Sequence, residues 1–199
     1  MTSTYVRVMS RLGTHAGLRV YRIFSRRLRE RADAAAQRAA CRLLKEREAK
    51  ALCADPTLDL VPSKVQAAYA RGDLCVGAFQ HGLFAGYCWF ALSPLPQMDG
   101  AWLEFQDHVV YTYKSYVRPA FRGLGIAAAM YRFADALFLR QGRTHAVLCV
   151  ESHHQSSIAA ALRSGFVDAG YAVYVGGARL SSWRSRAAAG YGLRFFTPE

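Results

Sequence analysis

The sequence reads as a mixed α/β (α+β) domain, a mostly antiparallel sheet of about six to seven strands flanked by helices. Three observations predict this class. In 199 residues, 52% are apolar and 20% charged, enough to bury a sizeable core. Short segments of alternating, β-branched and aromatic residues recur along the chain, with helical patterns between them. A hairpin interrupts the early helices, so the order is not a regular βαβ alternation. Residues 1–199 are read as one domain.

The elements follow in order. Residues 17–25, GLRVYRIFS, alternate apolar side chains with arginine and predict a strand. Alanine density and the Glu46–Lys50 spacing predict a long helix over 29–52, ended by Asp55-Pro56. Ser63 and Gln66 make a capping-box pattern for a second helix, with Val65, Ala68 and Tyr69 on one face and Gly72 as its stop. Residues 74–79 and 83–92 pair across Gln80-His81-Gly82 as a hairpin, in which His81 is a turn residue and Trp89 and Phe90 are core. After the loop SPLPQMDG, residues 102–117 form one long segment ending in the strand VVYTYKSYV. A helix over 125–141 places Met130, Phe133, Ala134 and Leu137 inward, with Arg132 and Asp135 facing water. A strand at 145–150, a helix at 155–164 stopped by Gly165, and strands at 171–175 and 191–196 complete the order.

Several classes are excluded or disfavoured. No apolar run approaches the ~20 residues of a membrane span, and the N-terminus lacks a secretory h-region, so the expected location is cytoplasmic. Cys41, Cys53, Cys75, Cys88 and Cys149 form no C-x-x-C pair, so neither a disulfide framework nor a metal site is expected. A net charge of +12 attracts polyanions without choosing among them. No base-reading pattern of aromatic and basic residues is visible, and no nucleic-acid partner is expected.

The chemistry is carried by VRPAFRGLGIA, residues 117–127. Glycines permit unusual backbone angles and admit a bulky ligand, and the helix that follows exposes unpaired N–H groups and a positive dipole end. Arg122 adds a formal charge beside this anion cradle. A P-loop needs Lys then Ser or Thr where Ile126-Ala127 stand. Gly123, Gly125 and Ala128 satisfy a dinucleotide fingerprint, and Glu151 ends the next strand. Against that reading, five residues including Pro119 separate strand from glycines, and too little chain remains for further βαβ units.

The segment resembles the acyl-CoA site of the GNAT (Gcn5-related N-acetyltransferase) superfamily. Val117, Pro119, Arg122, Gly125 and Ala127 fill its V-x-P, R-x-x-G-x-G/A pattern. A second block, His154, Ser157, Ile158, Gly165 and Phe166, keeps the family's N-x-x-[SA]-I…G-F spacing, with His for the usual Asn. The match covers 73–175 well, whereas 1–60 fits only as the family's variable first strand and helices. The resemblance implies a GNAT-type sheet with a splayed central strand pair. It implies an N-acyltransferase using acetyl-CoA or another acyl-CoA as donor, without a metal, and an amine acceptor that attacks the thioester directly. Tyr116 and Val117 would hold the pantetheine arm, and the amides of Arg122, Gly123, Leu124, Gly125, Ile126 and Ala127 the diphosphate.

The family's frequent thiolate-protonating tyrosine falls at Ala161, so that acid is absent here. His154 is a candidate donor, since imidazole titrates near neutrality; the other reading is a helix cap, as the Asn would be, or a contact to the pantetheine. Glu104 and Tyr113 are the candidate catalytic residues on the segment before the loop. Alternation puts Asp107, Tyr111 and Tyr113 on the face of Val117, and Glu104 on the other unless a bulge intervenes. Arg19, Arg22, Arg26, Arg27, Arg29 and Arg31 suit an acidic acceptor or an acyl carrier protein. A homodimer is compatible with this reading. The alternative function is a GNAT-fold protein that binds an acyl thioester or carrier without transferring the group.

Overall fold

A computed structural model describes residues 18–30, 39–98, 101–175 and 181–198. In chain order the elements are β1 (Leu18–Arg27), β2 (Ala40–Leu43), α1 (Glu46–Leu52), α2 (Pro62–Ala70), β3 (Leu74–Gln80) and β4 (Leu83–Ala91). Next come β5 (Leu95–Met98), β6 (Ala101–Glu104), β7 (Val109–Val117), α3 (Ile126–Leu139) and β8 (His145–Glu151). The last are α4 (Gln155–Arg163), β9 (Val167–Val175), β10 (Ser181–Arg184), α5 (Arg186–Ala189) and β11 (Arg194–Phe196). The class is the expected one, mixed α/β with mostly antiparallel strands, although the described residues hold more strands than expected. Among them no helix is long and apolar enough to cross a membrane.

The chain divides into two compact units. Among the described residues one gathers 18–26, 94–98, 101–109, 145–175 and 181–198, the other 27–30, 39–93 and 110–144. In the second, β7, β4, β3 and β2 lie side by side, all antiparallel. The β3–β4 hairpin turns at His81 and Gly82, both with positive φ, as a two-residue loop requires. One face of these strands packs on α1 and α2 through Leu44, Ala49, Val65, Ala68, Tyr87 and Trp89. The other packs on α3, where Phe90 meets Phe138 at 5.2 Å and Tyr131 at 6.4 Å between ring centroids. Phe138 is fully buried, and truncating such a side chain to alanine costs about 3–5 kcal/mol.

In the first unit β10, β9, β1 and β8 are neighbours, and a separate three-stranded sheet runs β11-β6-β5. Phe195 of β11 joins the two layers by packing on Tyr21 and Tyr174 at 5.6 and 5.7 Å. Burial pushes the Tyr21 hydroxyl well above its ordinary pKa.

Several expectations are corrected. Residues 31–38 lie outside the described residues, but the helix expected through 52 is interrupted by β2, which pairs with β3 from Ala40↔Phe79 to Leu43↔Val76. Pairing and burial of Leu44 override the local helix propensity of alanine. Ser63 is not the cap of α2: Val61 is, with Pro62 at the first helical position. The segment 102–117 is two strands broken at 105–108, and β5 forms inside the proline loop. Asp135 is buried and not solvated. β9 starts four residues early, at Val167, whereas 191–196 is strand only from Arg194. The Glu46–Lys50 pair forms, at 2.7 Å. All five cysteines are unbridged, with Cys75 and Cys88 buried.

Candidate functional site

The loop of residues 118–125 is built by the end of β7. Val117 faces Gly86 of β4, and a Cβ at Gly86 would stand 2.3 Å from the Tyr116 carbonyl oxygen. Only glycine therefore lets β4 approach this closely. The Arg118 N–H continues the pairing by donating to the Ala85 carbonyl at 2.9 Å. Pro119 then opens a 3-10 turn closed by Phe121 N–H to Arg118 O (2.9 Å) and Arg122 N–H to Pro119 O (3.2 Å).

Gly123 and Gly125 follow, at φ +79° and +75°, a left-handed conformation that costs an L-residue about 1–2 kcal/mol. A Cβ at Gly123 would meet nothing within 4 Å, so the space in front of it is open. Gly125 is the N-cap of α3, and the first α3 hydrogen bond to reach back to it runs from Ala129 N–H to its carbonyl oxygen (3.0 Å). The N–H groups of Ile126, Ala127 and Ala128 thus precede the helical ladder, at the positive end of a fourteen-residue helix. Ile126 is buried and anchors the turn, while residues 122–125 are exposed.

Two arginines flank this turn differently. Arg118 is locked by Asp55 (2.6 Å) and lies over the Phe84 ring. Hydrogen bonds from Thr57, and then Arg118, hold the Asp55 carboxyl below its ordinary range. Arg122 folds back so that its Nε donates to the Val117 carbonyl (3.1 Å), and among the described residues no carboxylate neutralises it.

Tyr113 is the unpaired residue of a bulge, since Trp89 faces Lys114 and Phe90 faces Thr112. The bulge resets the alternation. Tyr113 turns towards the α1–α2 face, tilted on Trp89 at 6.2 Å, and not towards the face of Val117 as strict alternation predicts. Its hydroxyl donates to Asp73 Oδ2 (3.0 Å), which also receives Arg71 (2.6 Å). Burial, and then the Asp73 charge, drive the Tyr113 pKa far above its ordinary value. Burial also raises Asp73, against the opposing pull of Arg71 and Tyr113. Tyr116 shares this face, its ring stacked on Tyr87 at 5.9 Å, and its carbonyl lies against β4.

Glu104 is not on the strand of Tyr113. It lies on β6 opposite Arg194, and its Oε1 accepts from Arg194 Nε. His154 occupies the N-cap position of α4 without a side-chain capping bond, and its exposed ring lies edge-on to His153 at 4.2 Å. One juxtaposition escapes sequence reasoning. Ser152 is buried, but Glu151 and His153, two residues apart at a strand end, meet with 3.4 Å between Oε2 and Nε2. Period-two spacing is the signal that could have found this pair.

The sequence profile of the acetyltransferase (GNAT) family matches residues 30–166. A match of that extent places the chain in this family, and the paired glycines that open α3 lie within it. No curated protein sequence matches the chain. Among solved structures, a functionally unknown protein from Staphylococcus epidermidis aligns at 12% identity and TM-score 0.53, over 86% of this chain and 65% of its own. A GCN5-related N-acetyltransferase from Sphaerobacter thermophilus aligns at 16% identity and TM-score 0.53, over 92% of this chain and 56% of its own. An aminoglycoside 6′-N-acetyltransferase from Acinetobacter baumannii aligns at 14% and 0.50, over 65% and 90%. The chain spans under two thirds of the length of the first two, and at these identities the likeness is one of fold.

Proposed function

We propose that the protein is an N-acyltransferase that takes its acyl group from acetyl-CoA or another acyl-CoA. The observation that carries this reading is the pair of left-handed glycines between β7 and α3, in a chain of the GNAT family. In this proposal the amides of Gly123, Leu124, Gly125, Ile126 and Ala127 cradle the CoA diphosphate, and the guanidinium of Arg122 adds its charge. Val117 offers its backbone to the pantetheine arm, and Tyr116 supports that strand end from behind by stacking on Tyr87.

In the reaction the acceptor amine attacks the thioester carbonyl, giving a tetrahedral intermediate. Its collapse, with loss of a second proton from the nitrogen, forms the amide, breaks the C–S bond and releases CoA thiolate, which then takes up a proton. The ammonium must first lose a proton, and the Glu104 carboxylate is proposed as the base, held in place by Arg194. His154 is proposed as the donor to the thiolate, because its ring is exposed and makes no capping bond. Tyr113 acts by position: its hydroxyl is committed to Asp73, so it fixes the β7 bulge and does not give up a proton.

The net charge of +12 repels a polycationic acceptor and favours an amine carried on a neutral or acidic molecule, an acyl carrier protein included. Free-thiol release from acetyl-CoA against a panel of amines tests the reading. Amine-dependent thiol release well above hydrolysis supports it. Clear acetyl-CoA binding without turnover on any acceptor supports the second reading, a thioester-binding protein. Ala161 at the usual tyrosine position and the committed Tyr113 hydroxyl favour that reading. No binding of any acyl-CoA contradicts the assignment of the loop to CoA in both.

A further inference from the structure

The turn between β8 and α4 reads Glu151-Ser152-His153-His154 and gathers three metal-ligand side chains of one unit. One donor atom from each of Glu151, His153 and His154 lies within 4.8 Å of the other two. The geometry points to a binding site for a borderline transition-metal dication of the zinc class, separate from the diphosphate loop; it takes His154 as a ligand, which excludes its role as thiolate donor while the ion is bound.

The donor chemistry decides the class of ion. Two imidazoles and one carboxylate match the open three-ligand sites of zinc, with water in the fourth position, whereas calcium and magnesium demand oxygen. Tetrahedral ligands at about 2.0–2.1 Å from the ion are about 3.4 Å apart. Closing the present set therefore needs its widest pair to approach by up to about 1.4 Å, and the exposed His154 is free of a capping bond to make that movement.

The backbone holds the set in place. Ser152 N–H donates to the Val20 carbonyl (2.8 Å), and Gln155 Nε2 donates to Ser152 O (2.9 Å). Glu151 is oriented by Arg19 on Oε1, which leaves Oε2 on the side of His153. That arrangement is the outer-shell support a ligating carboxylate needs. Arg19 and the positive end of α4 oppose a dication, so the carboxylate is indispensable to the site. The missing C-x-x-C pair bears on thiolate sites, and this donor set is of another kind.

Calorimetric titration of the full chain with zinc sulfate tests the proposal, with cobalt(II) absorption reporting coordination geometry. One equivalent binds, with the intense visible bands of tetrahedral cobalt. His153→Ala and His154→Ala each weaken binding at least tenfold, and Glu151→Gln does so while keeping side-chain volume. Thermal melting without metal verifies that each variant folds. His108→Ala, at the separate His108–His145 ring pair (5.9 Å), leaves binding unchanged. Failure to saturate by millimolar zinc, or equal affinity in a His153→Ala/His154→Ala double variant that still folds, overturns the assignment. Acetyl-CoA binding measured in parallel keeps this outcome separate from that of the loop.

Discussion

The loop after β7 and the turn after β8 both stand at a strand-to-helix junction, yet they are made of different material. At the first, backbone forms the site: two left-handed glycines, three amides ahead of the helical ladder, and a single arginine with no carboxylate on it among the described residues. At the second, side chains form it, and Glu151, His153 and His154 hold one another through carboxylate and ring contacts. A backbone site is destroyed by adding atoms, and a side-chain site by removing them. The two regions should therefore fail under opposite kinds of substitution.

The largest effect is expected at Gly125. Gly125→Glu puts bulk and negative charge at the mouth of α3 and demands a left-handed glutamate, so acetyl-CoA affinity should fall about 100-fold or more by calorimetry. Gly125→Asn, which tolerates that conformation, should retain affinity within about tenfold and shows whether charge or backbone dominates. Next is Arg122→Ala, which removes one charge-assisted contact and should cost about 10–100-fold in acetyl-CoA affinity, with a shallower salt dependence. His153→Ala should leave that affinity unchanged; a comparable loss there would dissolve the contrast between the two sites.

A smaller and different response is expected at Tyr113. Tyr113→Phe leaves Asp73 buried with one partner fewer, so stability should drop by about 1–3 kcal/mol in denaturant melts while turnover changes less than tenfold. Turnover slowed about 100-fold at unchanged stability would make the hydroxyl a proton donor after all.

The smallest effect comes with pH. Asp55 is held below its ordinary range by Thr57 and Arg118, and Glu48 is pulled down to about 2 by Arg42 and the Lys45 N–H. Both have folded pKa values below their unfolded ones. Their stabilisation is thus complete above about pH 4.5 and is lost as pH falls towards 2. Asp55→Asn should flatten part of that acid slope in thermal melts and release Arg118 beside the loop.

The same contrast explains what could be read from residues alone. Val117, Pro119, Gly123 and Gly125 announce their geometry, because few residues can do what a close approach or a positive φ requires. The hairpin at His81-Gly82 was legible for that reason too. β2 was not, since Ala40–Leu43 becomes strand only through its partner β3, a long-range pairing that local alanine content contradicts. The sequence leaves room for a bulge before the loop but not for its place at Tyr113, because one extra residue shifts every side chain after it and nothing local marks where it falls. Asp135 appeared solvated because an acid in a helix usually is.

Hydrogen exchange on the segment 118–131 tests the central claim most directly. With acetyl-CoA bound, the amides of residues 123–128 should exchange markedly more slowly, and acetyl-pantetheine, which lacks the diphosphate, should leave them as in the free protein. Unchanged exchange with saturating acetyl-CoA, or equal protection by acetyl-pantetheine, would contradict the account of this loop as the diphosphate cradle.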